Sequence, residues 1–137
     1  MVRPAGARAG RVERWRRVVV EAAEQCGRSF VPQVAPATAL EEALRAATGL
    51  RLLPWEGERS QGLRALLRQD SAALGKAHQP SASIFIGPEG GFTEEEVSLA
   101  QRAGVRTVSL GPRILRSETA GIAAAAAVLY ELGELGA

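Results

Sequence analysis

The chain has 137 residues, with 17 Lys or Arg against 15 Asp or Glu, a formal charge of +2. That length holds one domain, and so small a charge excess neither demands nor excludes nucleic acid as a partner. A lone cysteine, Cys26, and a lone histidine, His78, exclude an internal disulfide and a four-ligand Cys/His zinc site, so no metal is expected.

Residues 1–10 carry little apolar surface and are expected to be flexible. Val12, Trp15, Val19, Ala22 and Cys26 then recur at spacings of three and four, one face of a helix that Gly27 ends. Cys26 on that face reads as a buried small residue. The opposite face carries Arg11, Arg14 and Arg17, which reads as a solvated face before it reads as a phosphate contact. Residues 30–34 are short and extended. Thr38 and Glu41 make a capping box for a helix reaching about Thr48. Residues 50–53 are strand-like, and Pro54 places that strand's end at an edge or turn. Leu63, Leu66 and Leu67 predict a short amphipathic helix, followed by a loop over 75–81 that holds His78.

The second half is better punctuated. Residues 83–86 form a short apolar strand. Thr93 to Glu96 is a second capping box, opening a helix that ends at Gly104. Residues 105–110 form another strand, and a last helix runs from about Glu118 to Leu132, capped by Ser117 or Thr119. The longest apolar run, near residues 122–130, is far short of the ~18–20 residues of a membrane span. Residues 1–10 lack the apolar run of a signal peptide, so a soluble, cytoplasmic chain is the default. Alternation of strand and helix predicts an α/β fold with a mainly parallel sheet.

Two strand exits match. One reads Ile84-Phe85-Ile86-Gly87-Pro88-Glu89-Gly90-Gly91, the other Val108-Ser109-Leu110-Gly111-Pro112-Arg113-Ile114-Leu115. Ligands of open α/β sheets sit at the carboxyl ends of strands, and two such ends separated by one helix should be neighbours. Glycine permits close approach to the backbone and proline stiffens the loop, so free main-chain groups can read the edge of a base such as adenine. Neither corner has the GxGxxG spacing of a dinucleotide site, and Glu89 disfavours a phosphate while tolerating cationic character. Arg113, Arg116 and Glu118 crowd the stretch after the second corner.

Residues 86–92 (IGPEGGF), 110–120 (LGPRILRSETA) and 21–28 (EAAEQCGR) together resemble the RsmE-type small-subunit ribosomal RNA uridine-N3 methyltransferases of the SPOUT, or α/β-knot, superfamily. The resemblance implies a trefoil knot through which the last helix threads, S-adenosylmethionine bound largely by backbone groups, a homodimer, and a uridine of 16S ribosomal RNA or the assembled small subunit as substrate. It implies cofactor contacts from Ile86, Gly87, Pro88, Glu89, Gly90 and Gly91, from Leu110, Gly111, Ile114 and Leu115, and from Leu53 at the end of an earlier strand. Arg113, Arg116 and Glu118 would face the reaction, one arginine stabilising the uracil anion and Glu118 acting as a base or orienting an arginine. It also implies that residues 11–137 form the C-terminal part of the methyltransferase domain, and that the family's usual N-terminal RNA-binding domain is absent from this sequence. A chain that binds cofactor or RNA without turnover, or a SPOUT enzyme acting on another RNA, are the alternatives.

Overall fold

A computed structural model describes residues 5–74 and 81–136. His78 and most of the loop expected over 75–81 lie outside the described residues. The chain divides into two compact units, Met1–Ala39 and Leu40–Ala137.

In the first unit, α1 spans Ala5–Gln25. It starts six residues before Arg11, because alanine and arginine between 5 and 11 are strong helix formers that need no core to support them. Its end follows from Gly27, whose φ of 70° lets Gly27 N–H reach Glu24 O and Arg28 N–H reach Ala23 O. The expected apolar face is only partly covered: Val12 and Ala23 are buried, while Trp15 is exposed. Cys26 is also exposed, contrary to expectation. It lies just past the last helical residue, where its thiol donates to Ala23 O at 3.6 Å instead of packing. Residues 30–34 form no strand. They are a coil with Phe30 and Val31 in solvent, and Val34 O accepts from the Arg16 guanidinium at 3.4 Å.

The second unit runs α2 (Leu40–Ala46), β1 (Leu50–Pro54), α3 (Leu63–Leu74), β2 (Ala82–Ile84), α4 (Glu94–Arg102), β3 (Arg106–Val108) and α5 (Ser117–Glu131). The three strands form one parallel sheet in the order β2-β1-β3, with Leu52 opposite both Ile84 and Arg106. The expected parallel α/β architecture is present. One detail differs: β2 and β3 are not adjacent, since β1 lies between them as the central strand, and of the edge or turn read from Pro54 the structure takes the strand-ending turn. A central strand tolerates Pro54 because it is the last residue. Along β1, odd-numbered residues hydrogen-bond toward β3, as in Trp55 N–H to Val108 O at 3.0 Å. Even-numbered residues bond toward β2, as in Leu52 O accepting from Phe85 N–H at 2.8 Å.

Side chains alternate across the sheet. Leu52 points to a core with Leu63, Leu66 and Leu67 of α3, Val108, and Ala124 and Val128 of α5. Leu53 points the other way, to Leu44 of α2, Val97 and Ala100 of α4, and Val105. Helices therefore cover both faces, as a parallel sheet requires. Each fully buried leucine contributes roughly 1.5–3 kcal/mol. Two polar ties lock the layers: Arg51 donates to Ala103 O at the end of α4 (2.8 Å), and Arg106 pairs with Asp70 of α3 (2.6 Å).

Candidate functional site: a cleft at the strand ends

Three strand exits converge at the carboxyl end of the sheet. The first corner leaves β2, and Gly91 N–H closes its turn onto Pro88 O at 2.9 Å. Gly91 has φ of 73°. Phe92 packs into the second core, and Thr93 then caps α4. The Thr93 hydroxyl accepts from Glu96 N–H and the Glu96 carboxylate accepts from Thr93 N–H, the capping box that the sequence predicts.

The second corner leaves β3. Ser109 is stitched to the start of α3 through Gln61 O and Leu63 N–H, and its hydroxyl bonds both the N–H and the O of Gly111, whose φ is 121°. Neither Ser117 nor Thr119 caps α5. Arg116 holds the N-cap position with no side-chain cap bond, and its carbonyl accepts from Ala120 N–H at 2.7 Å.

The third exit, residues 55–62, leaves β1. Glu58 fastens it: one carboxylate oxygen accepts from the Ser60 hydroxyl (2.7 Å), Ser60 N–H (2.7 Å) and Gln61 N–H (3.1 Å). The other accepts from the Thr107 hydroxyl of β3 (2.7 Å). These donors, the Ser60 hydroxyl foremost and Thr107 next, pull the Glu58 carboxyl from the ordinary 4.5 to about 2.

Between these exits lies a two-lobed cleft. The larger lobe, about 500 Å³, is walled by Ile86, Gly87, Pro88, Glu89, Gly90, Gly91 and Phe92 on one side. Ile114, Leu115, Arg116, Ser117, Glu118 and Ala120 form the other, with Pro54 and Glu56 between. The smaller, about 80 Å³, continues past Glu56 to Arg59, Ser109, Leu110, Gly111, Pro112 and Arg113. The lobes share Pro54, Glu56, Ile114, Leu115 and Ala120. A volume near 500 Å³ is in the ordinary range for a small-molecule site.

The cleft thus gathers most of the residues that the sequence singles out. Arg116 and Glu118 share the larger lobe with the first corner, while Leu110, Gly111 and Arg113 line the smaller. Leu53 is the exception: it is fully buried in the second core, and its neighbour Pro54 lines the cleft. Side chains alternate, so the strand's last inward residue and its last cleft residue differ by one position. Glu56, Arg59 and Phe92 were missed. The signal for them was a third strand exit, at Pro54, level with the other two once β1 is placed at the centre of the sheet.

The walls are built for close approach. A side chain at Gly90 would project into open space on the cleft surface. At Gly87 a Cβ would meet the backbone of Gly91 and Phe92 at 3.2 Å, and at Gly91 it would meet the Glu56 carboxylate at 2.6 Å. Among the described residues no helix is long and apolar enough to cross a membrane.

A family model of RNA methyltransferase domains matches residues 2–129. The chain is similar to the ribosomal RNA small subunit methyltransferase E of Synechocystis sp., 37% identical over 123 residues, which cover 86% of this chain and 38% of that protein. It is 38% identical over 122 residues to the protein of that name from Bacillus subtilis, covering 87% of this chain and 46% of the other. The crystal structure of a ribosomal RNA small subunit methyltransferase E from Neisseria gonorrhoeae, bound to S-adenosyl methionine, superposes with a TM-score of 0.71 at 36% identity, over 95% of this chain and 52% of that one. The chain spans about half the length, or less, of these relatives.

Proposed function

The chain belongs to the RNA methyltransferase domain family, and from that premise we propose that it methylates N3 of a uridine in 16S ribosomal RNA, using S-adenosylmethionine. The observation that carries this reading is that the two glycine-proline corners line adjoining lobes of one cleft, with Arg116 and Glu118 lining the larger. The cleft fits the donor. Its glycine-rich wall admits a ligand against the main chain, and Glu56, Glu89 and Glu118 give it the negative character that suits a sulfonium. The donor supplies an electrophilic methyl group when bound there.

The protein's own contribution concerns the acceptor. Uridine N3 holds a proton and is a poor nucleophile until it leaves. In this reading the Arg116 guanidinium hydrogen-bonds the uracil oxygens and stabilises the charge that develops as N3 loses its proton. Glu118, two residues on and at the start of α5, takes that proton or steers Arg116. The stiff corners hold the base in place, which supplies rate through proximity. The knot belongs to the same reading, as does action in the cytoplasm, on the free RNA or the small subunit. So does a homodimer, supported by the exposure of Ile122 and Tyr130 of α5, 74% and 68%, Tyr130 lining a groove between α3 and α5.

Calorimetry with S-adenosylmethionine, followed by methyl transfer to small subunits lacking the modification, tests the proposal. Arg116→Ala should leave donor affinity within about twofold and slow transfer by about a hundredfold. An equal fall in both places Arg116 in the donor pocket. Donor binding without transfer by the wild type makes the chain a binding module, and no donor binding overturns the assignment.

A further inference from the structure

The three strand exits that wall the cleft meet again beneath it, at one hydroxyl. Among the described residues Thr107, on β3, is the only buried polar side chain. It stands opposite Leu53 in the β1 ladder, so it leaves the sheet on the face that α4 covers. Its hydroxyl donates to the Glu58 carboxylate (2.7 Å) and accepts from the Gln101 side-chain amide of α4 (3.3 Å). The direction of this chain is fixed. The Glu58 carboxyl is held at about 2, by the Ser60 hydroxyl first and the Thr107 hydroxyl next, so at neutral pH it can only accept. The single Thr107 proton therefore points to Glu58, and a lone pair is left for Gln101.

Each partner belongs to a different wall. Glu58 gathers Ser60 and Gln61 onto one carboxylate oxygen, which shapes the exit after β1, and Glu56 of that exit lines both lobes. Thr107 lies two residues before Ser109, which bonds to Gln61 O and leads β3 into the second corner. Gln101 belongs to α4, whose first turn is clamped by the Thr93–Glu96 box directly after the first corner. A hydrogen bond to a charged acceptor is among the stronger ties available to a neutral side chain.

We infer that Thr107 is a positioning residue for the methyl donor: its hydroxyl, shared between Glu58 and Gln101, sets the spacing of the three walls between which the donor binds. The inference rests on the methyltransferase reading for the identity of the ligand. Thr107 lines neither lobe, so it acts through the walls. A cleft whose walls are fixed in advance loses less conformational entropy on binding, and its affinity is higher by that difference. Without the hydroxyl the exit after β1 keeps its Ser60 and Gln61 contacts but loses its side-chain pin to β3, and the ligand must order it.

The test uses the full chain, with amide hydrogen exchange over residues 58–61, calorimetry with S-adenosylmethionine and urea unfolding on each variant. Thr107→Val keeps the shape and the strand preference and removes the hydroxyl. It should speed exchange at Ser60 and Gln61 about tenfold and weaken donor binding about fivefold. Thr107→Ser keeps the hydroxyl and should restore both. Gln101→Ala, at an exposed position, cuts one link without entering the core and should give the same two changes at about twofold. Leu66→Val is the comparison: it destabilises the core on the other face of the sheet without touching the tie, and should leave donor affinity within about twofold. Wild-type donor affinity in Thr107→Val overturns the inference, whatever happens to stability, because a tie that is only structural gives that result. So does an equal loss of affinity in Leu66→Val. A wild-type chain that binds no S-adenosylmethionine sinks the methyltransferase reading instead, and the exchange arm, which needs no donor, then decides alone: faster exchange keeps Thr107 as the tie between the walls, and unchanged exchange removes it.

Discussion

The two glycine-proline corners share a dipeptide and a position after a strand, yet they are mechanically opposite. The first is folded onto itself: Gly91 bonds back to Pro88, Phe92 plugs into a core, and the Thr93–Glu96 box fixes the helix that follows. The second lies open. Gly111, Pro112 and Arg113 are exposed, Ile114 is 82% exposed, and the helix after it starts without a side-chain cap. The lesson is that Gly-Pro sets the direction of a turn, whereas the residues beyond it set its stiffness. An aromatic anchor and a capping box make a wall, and a run of arginine and exposed isoleucine makes a rim held from behind by Ser109 and the Glu58–Thr107 tie.

Substitutions can separate the two. Gly87→Val should cost about 3 kcal/mol of stability, since the added methyls overpack against the backbone of Gly91 and Phe92. Gly111→Ala should cost only about 1 kcal/mol: its positive φ is unfavourable for alanine, but the space around it is open and the loop can relax. Urea unfolding measures both, and equal losses would mean that the corners are packed alike. Next comes the acid effect at the tie behind the second corner, reduced by solvent screening of the Glu58 carboxylate. The Glu58 carboxyl sits at about 2 in the folded chain against an ordinary 4.5. Its contribution is therefore complete above 4.5 and is lost as the pH falls toward about 2. Wild-type stability should drop more steeply than that of Glu58→Gln across this window in acid titrations of the melting temperature, and parallel profiles would leave the tie without weight. Least of all on stability, Gly90→Val should fall within about 0.5 kcal/mol of wild type, because nothing lies within 4 Å of the added Cβ. The same variant should weaken S-adenosylmethionine binding by putting a branched side chain on the glycine-rich wall that a ligand must approach. Retained affinity would move the donor elsewhere.

Local chemistry was legible and long-range pairing was not. The capping box at Thr93, the leucine triplet of α3 and both corners depend on neighbours a few residues apart, and they stand in the structure as the sequence implies. The position of β1 depends on pairing with residues 32 and 54 positions away in β2 and β3, so Pro54 left edge and turn both open, and the structure has it end the central strand. That long-range dependence hid the third exit, and with it Glu56, Glu58 and Arg59. It also moved the expected lining residue from Leu53 to Pro54.

Pro54 does more than end a strand. The ladder between β1 and β2 advances two residues at a time, and after Leu52 the next donor toward β2 belongs to position 54. Proline has no hydrogen to give there. The zipper therefore stops at Phe85, while on the β3 side it runs on through Trp55. One missing N–H thus leaves β1 and β2 unzipped where Pro54 and Ile86 line the cleft, while β1 and β3 stay joined.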